Sequence, residues 1–297
     1  MDRRRGFTLI ELLVVISIIA LLMAILMPTL SRVRRQAKAV ACQQQLGQWG
    51  KMFMMYTMDN NGYFMRGWVS NQSSPKQQTN DYWINALRPY YKKQGGIMLC
   101  PMATKPRIDI DGNATGARNP FAAWGKVAKG DTWAQNPPLR YIEGDYGSYG
   151  INMYVYDPPV GTDNSWYTVG IPDFDKLAWR TPNVKNANRV PLFLDSAHLQ
   201  AAPLAVHSPP AYSGDQSNAY GNETIQHVCQ DRHDGYVNGV FLDFTVRKIG
   251  LKELWKLKWS RNFDINGVWT LAYYSNPADC ADKWDKAAPW MKNMPEY

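Results

Sequence analysis

The chain has 297 residues, 45% of them apolar, enough to bury the core of one large or two small domains. Its net charge of +8 comes from 33 Lys and Arg against 25 Asp and Glu, and basic charge alone is weak support for nucleic-acid binding, so no nucleic acid is expected as a partner. Four cysteines without a Cys-x-x-Cys pair exclude a zinc ribbon and a thioredoxin motif. A phosphate-binding glycine loop, a Gly-x-Ser-x-Gly elbow and a His-Glu-x-x-His helix are all missing, so the chain is not expected to be an enzyme of those classes.

The most apolar stretch comes first. Phe7 to Met27 is an apolar run long enough, as a helix of about 30 Å, to cross a hydrocarbon core. Arg3, Arg4 and Arg5 precede it and favour a cytoplasmic N-terminus. Arg32, Arg34, Arg35 and Lys38 follow it and read as interfacial charge. An ordinary secretory signal has a shorter apolar region with a small-x-small cleavage site behind it, whereas here a basic leader ends at Gly6 in front of the run. Glu11 is the exception inside it, because an acidic side chain in a membrane helix costs about 2.5–3.5 kcal/mol when central. Such a group calls for a cation, and an amino terminus newly made at Phe7 would supply one.

The run RRRGFTLIELLVVISIIALLMAILMP resembles the class III signal of type IV prepilins and type II secretion pseudopilins. The resemblance implies a leader, residues 1–6, removed by a prepilin peptidase after Gly6, with N-methylation of the new terminus, Phe7. It places the family's charge-pairing glutamate at Glu11 and its helix-loosening proline at Pro28. It implies a precursor held in the inner membrane, residues 7–27 spanning it, and then an extracellular or periplasmic filament of copies of this chain or related pilins. A chain starting at Phe7 loses three arginines and Asp2, leaving 30 − 24 = +6.

After Pro28 the helical pattern resumes through residues 28–58. Ala39, Cys42, Leu46, Trp49, Phe53 and Tyr56 recur at intervals of three and four and form one apolar stripe, with Lys38, Gln43, Gln44, Gln48 and Lys51 expected opposite. Gly47 and Gly50 weaken the helix by about 1 kcal/mol each, and the sequence leaves open whether they mark close packing. Asp59-Asn60-Asn61-Gly62 should end it. The expected fold is α+β and type IV pilin-like, a long N-terminal helix on an antiparallel sheet, with residues 59–297 forming a loop-rich β domain. Asn71 to Asn80 reads as a polar surface loop, and Gln200 to Asn222 as an insertion rich in Ala, Pro, Ser and Gly. Val190 to Asp195 reads as a buried strand ending in an acid. Val237 to Leu242 and Thr245 to Ile249 read as a hairpin turning at Asp243-Phe244.

Arg232-His233-Asp234-Gly235, continuing through Asn238, Phe241 and Asp243, resembles the signature of a prepilin-type class named for a His-x9-Asp-Gly pattern. His233 and Asp243 keep the spacing, and Phe244 stands where the pattern has glycine. If His233 and Asp243 lie on paired or adjacent strands, a structural contact between them is the simplest expectation. Leu99-Cys100-Pro101, Tyr149 to Asn152 and Leu251 to Trp259 extend the resemblance loosely to about residue 265, leaving the Trp-rich tail unmatched.

Other chemistry is weaker. A zinc site from His227, Cys229 and His233 fits no standard spacing. Asn262, Asp264 and Asn266 with Gly267 resemble the front of a calcium loop, but Tyr273 stands where the closing Glu belongs. Cofactors are therefore not expected, calcium excepted as an open question. Cys42 on the domain-facing stripe would tie spine to domain by a bridge to Cys100, and Cys229 with Cys280 would tie down the tail, although three connectivities are possible. The function expected is a structural subunit of a type IV pilus-like or pseudopilus filament. The alternatives are a type II secretion pseudopilin, or an anchored adhesin stacking surface polysaccharide on aromatic residues.

Overall fold

A computed structural model describes residues 9–67, 82–91, 95–107, 111, 113, 119–126, 144–161, 171, 173–216 and 223–295. Gly6, Phe7 and the whole of the loop at 71–80 lie outside the described residues. One helix, α1 (Leu9–Asp59), runs unbroken through Pro28, a length of about 76 Å for its 51 residues. It stops where Asn61 and Gly62 turn left-handed and the Gly62 N–H reaches back to the Thr57 carbonyl at 2.7 Å.

The rest is α+β. Short α2 (Trp83–Tyr91) packs on α1, and β1 (Lys105–Pro106) and β2 (Ala122–Ala123) form a small parallel pair. The main sheet contains β3 (Tyr149–Asn152), β4 (Pro191–Asp195), β5 (Gln200–Ala201), β6 (Tyr236–Phe241) and β7 (Val246–Gly250) in the order β5-β3-β4-β6-β7. Between β3 and β4 lies α3 (Phe174–Leu177). All pairs are antiparallel except β3 with β5, so the sheet is mixed rather than wholly antiparallel as expected. That parallel edge begins the stretch read as an insertion, which is partly structural: Ala201, Ala202 and His207 are buried. All five residues of β4 are buried, and since alternate side chains leave opposite faces of a strand, both faces are covered.

The lower half of α1 lies across β6, β4 and β7 on its apolar stripe. Ala39, Cys42, Leu46, Trp49 and Phe53 are buried, and Tyr56 is partly so. Trp49 is the centre of this layer. Its ring meets Trp83 and Tyr91 at 5.3 Å each and Phe193 at 5.7 Å, and its indole N–H donates to the Ile97 carbonyl at 2.9 Å. Gln43 departs from the expected polar face, for its side-chain amide donates to Asn238 Oδ1 at 2.9 Å. At the β6–β7 turn Phe244 takes the left-handed conformation (φ 65°) that glycine adopts freely. The Asp243 carboxylate accepts from the Thr245 N–H at 3.0 Å and hydroxyl at 2.7 Å, while the Phe244 ring packs against the core.

The Trp-rich tail is a folded layer. Trp284, on α4 (Pro277–Ala287), stands 5.1 Å from Trp255 and 5.2 Å from Trp269. Asn276 caps α4 by accepting from the Ala278 N–H, with Pro277 in the first turn. The indole N–H groups of Trp255 and Trp290 donate to the carbonyls of His207 and Pro210 at 2.8 Å each, pinning the 200–216 stretch to the tail. His207 Nδ1 accepts from the Leu204 N–H, and burial pushes its imidazole down to about 4.

Two outcomes follow for unfolding of the full chain in detergent. A Cβ at Gly47 meets only Val246 at 3.6 Å, whereas one at Gly50 would lie 2.9 Å from the buried Val240 Cγ2. Gly47→Ala should therefore stabilise by about 1 kcal/mol through helix propensity, and Gly50→Leu should destabilise by about 1–3 kcal/mol through overpacking. For His207, the unfolded imidazole binds a proton near pH 6.5 that the folded one refuses until about pH 4. Stability is thus lost as pH falls across that window, by up to about 3 kcal/mol from this group. His207→Asn, whose Oδ1 can accept the same N–H, should show a correspondingly shallower loss.

Candidate functional site

The upper half of α1 leaves its apolar side chains uncovered by the described residues. From Leu9 to Val33 its Leu, Ile, Val and Met side chains are exposed, and the window that is apolar enough to cross a membrane has none of its residues buried. Glu11 stands among them on the exposed surface. Pro28 has no N–H to complete a helical hydrogen bond, yet α1 continues. The Ser17, Thr29 and Ser31 hydroxyls fold back onto the carbonyls of Val14, Leu26 and Pro28 at 2.7–2.8 Å, which hides their polarity from an apolar surrounding. Arg32, Arg34, Arg35 and Lys38 are exposed just beyond, and Arg35 Nε lies 3.7 Å from Asp234 Oδ2.

Where α1 enters the domain, a polar cluster lies beneath it. Asp195, at the end of β4, is fully buried. Arg232 NH1 donates to its Oδ1 at 3.2 Å, the Asn238 N–H donates to its Oδ2 at 2.8 Å, and His233 Nε2 lies 3.1 Å from Oδ2. The Cys42 thiol reaches the same carboxylate at 3.4 Å from α1, and Cys100 Sγ lies 3.4 Å from His233 Nε2. The local chain explains the convergence: Asp234 and Gly235 are both left-handed (φ 55° and 90°), a sharp turn directly before β6 that leaves His233 beside the end of β4. Arg232 is saturated, with further bonds to the carbonyls of Pro120, Ser148, Ala122 and Ser196.

Burial alone would raise the Asp195 carboxyl, but His233, Arg232 and the Asn238 N–H outweigh it and hold the group at about 2. Burial lowers His233, and the contacts with Asp195 and Cys100 reverse this and raise it to about 9. Burial pushes Cys42 up, helped by Cys100 and Asp195. Cys100 is also raised by burial, but the hydrogen bonds with Cys42 and His233 and the Arg232 charge bring it down to about 7. The four ligand atoms of Cys42, Cys100, Asp195 and His233 lie within 4.8 Å of one another, close enough to hold one metal ion.

Residues 1–27 match the family described as the prokaryotic N-terminal methylation motif. The chain is also 43% identical over 74 residues to the type IV wide pilus major component PilA4 of Thermus thermophilus, an alignment covering 25% of this chain and 53% of that protein. It therefore spans about half the length of this curated relative. No solved structure matches the chain. In its N-terminal segment the chain is type IV prepilin-like. Its long helix on a mixed sheet is the pilin-like α+β arrangement, and the exposed upper half of α1 follows directly on the matched motif.

Several site residues fall elsewhere than the sequence suggests. His233 does not meet Asp243: they lie beyond opposite ends of β6, where His233 pairs with Asp195 and Asp243 holds the hairpin turn. All four cysteines are buried thiols. Cys42 and Cys100 do come together, but Cys229 faces Met291 at 4.0 Å and is pushed up by burial, while Cys280 sits on α4. His227 stacks on His198 at 4.4 Å rather than joining His233 and Cys229 in a site. Asn262, Asp264 and Asn266 are exposed, and Asp264 accepts from the Asn266 N–H. Among the described residues the tryptophans other than Trp290 are buried, so they serve packing rather than a stacking surface. Asp195 and Arg232 were the site residues the sequence reading missed, although an acid closing an all-apolar strand is itself a request for a buried cation.

Removing that cation isolates the charge. Arg232→Met should destabilise the chain by about 3–5 kcal/mol, and Arg232→Met with Asp195→Asn should recover part of the loss, because the second change removes the stranded carboxylate. Chemical unfolding of the three proteins checks both.

Proposed function

We propose that this chain is a filament subunit without catalytic activity of its own, anchored in the membrane as a precursor and polymerised through the upper half of α1. The observation that carries this is the continuity of α1: its lower half is clamped into the domain, while the apolar side chains of its upper half are left exposed by the described residues. Packing those side chains first in lipid and then against other copies removes them from water in both states, at roughly 25 cal/mol per Å² of apolar surface. The sequence match to a methylation motif and the similarity to a pilus component point the same way. Cleavage after Gly6 by a prepilin peptidase would expose a methylated amino terminus at Phe7. In the polymer that terminus would meet Glu11 of a neighbouring copy, where low dielectric strengthens the pair. The basic residues from Arg32 to Lys38 then lie at the collar between core and domain.

Two variants separate the steps. Gly6→Ala should leave an uncut precursor of higher mass in the membrane fraction. Glu11→Ala should be inserted and cut normally yet yield few or no filaments in sheared preparations. Cutting of the Gly6 variant, or normal filament yield from the Glu11 variant, contradicts this reading.

A further inference from the structure

We propose that Cys42, Cys100, Asp195 and His233 form a structural zinc site that locks the spine helix to the sheet. The four residues come from four separate elements: α1, the turn following Gly95–Met98, the end of β4 and the turn before β6. Two sulfurs, one imidazole nitrogen and one carboxylate oxygen are a donor set that suits zinc, and four protein ligands make a closed, structural site.

The spacing fits an ion at the centre. Zinc bonds of about 2.0–2.3 Å around a tetrahedron set the ligand atoms ~3.4–3.8 Å apart. Cys42 Sγ lies 3.4 and 3.6 Å from the two Asp195 oxygens, Cys100 Sγ lies 3.4 Å from His233 Nε2, and His233 Nε2 lies 3.1 Å from Asp195 Oδ2. With all four ligand atoms within 4.8 Å of one another, small side-chain adjustments would seat the ion.

The surroundings supply what such a site needs. Two thiolates and a carboxylate carry three negative charges, which the divalent ion and the buried Arg232 balance, so the occupied site is neutral where stray charge is costly. Asp195 is oriented from outside by Arg232 and the Asn238 N–H, and the Tyr149 hydroxyl lies 3.3 Å from Cys42 Sγ. Entry is open at one side, where a cleft lined by Arg35, Ala39, Met102 and Tyr236 reaches His233. Binding would release the protons on the two thiols and on His233 Nε2 to water through that cleft. The role is structural, because four protein ligands leave no position for a substrate. This role does not depend on polymerisation.

The test uses the full chain purified in detergent without chelator. Elemental mass spectrometry should find about one zinc per chain. Cys229→Ser should keep the metal, whereas Cys100→Ser and His233→Gln should lose it. Because those two variants risk misfolding, the wild-type chain is also stripped with chelator and titrated with Co²⁺. It should develop thiolate-to-cobalt charge-transfer absorption and the intense visible bands of tetrahedral cobalt, saturating at about one equivalent. No stoichiometric zinc together with no cobalt bands overturns the proposal, whether thiol counting then finds Cys42 and Cys100 reduced or joined in a disulfide.

Discussion

The fold hangs on one buried carboxylate. Asp195 ends a strand buried along its whole length, and an unpaired charge there would cost several kcal/mol. Its compensation sets the geometry around it. Arg232 reaches it while also tying down the carbonyls of Pro120, Ala122, Ser148 and Ser196, His233 is brought in by a left-handed turn, and Asn238 of β6 donates from the backbone. The Cys42 thiol closes the group from above, so the place where α1 crosses the sheet is set by polar contact as well as by apolar packing.

That crossing gives the long helix its two characters. Below it, the Trp49 layer and the close approach of Gly50 to Val240 hold α1 to the domain. Above it, the apolar residues stay exposed among the described residues, and the helix projects as a rod with Glu11 near its tip. A rod fixed at one end can present a constant face to its neighbours, as a regular polymer requires. A hinged rod would lose that register. Pro28 is the weak point in the rod, since the helix there lacks one hydrogen bond.

Local patterns were legible in the sequence, and long-range pairings were not. The stripe Ala39 to Phe53 named the buried face of α1 because helical period and burial share one cause. Val190 to Asp195 and the β6–β7 hairpin were readable for the same reason, and Phe244 does adopt the backbone conformation of the glycine it replaces. The partner of His233 was not readable. Spacing within one strand pointed to Asp243, while the true partner came from a different strand through a turn whose direction depends on Asp234 and Gly235. Gln43 was misplaced because one amide on the edge of a stripe looks solvent-facing until Asn238 is known to lie beneath it. The parallel β3–β5 edge and the Trp255, Trp269 and Trp284 cluster were likewise invisible, since neither has a local period.

The central claim is that the exposed half of α1 is the polymerisation element. Electron cryo-microscopy of native filaments containing this chain tests it most directly. The expected result is a helical polymer whose core is the packed α1 helices over residues 9–33, with Glu11 beside a neighbour's amino terminus and the domain outside. Dispersed membrane protein, or filaments in which α1 lies on the outer surface, would contradict it.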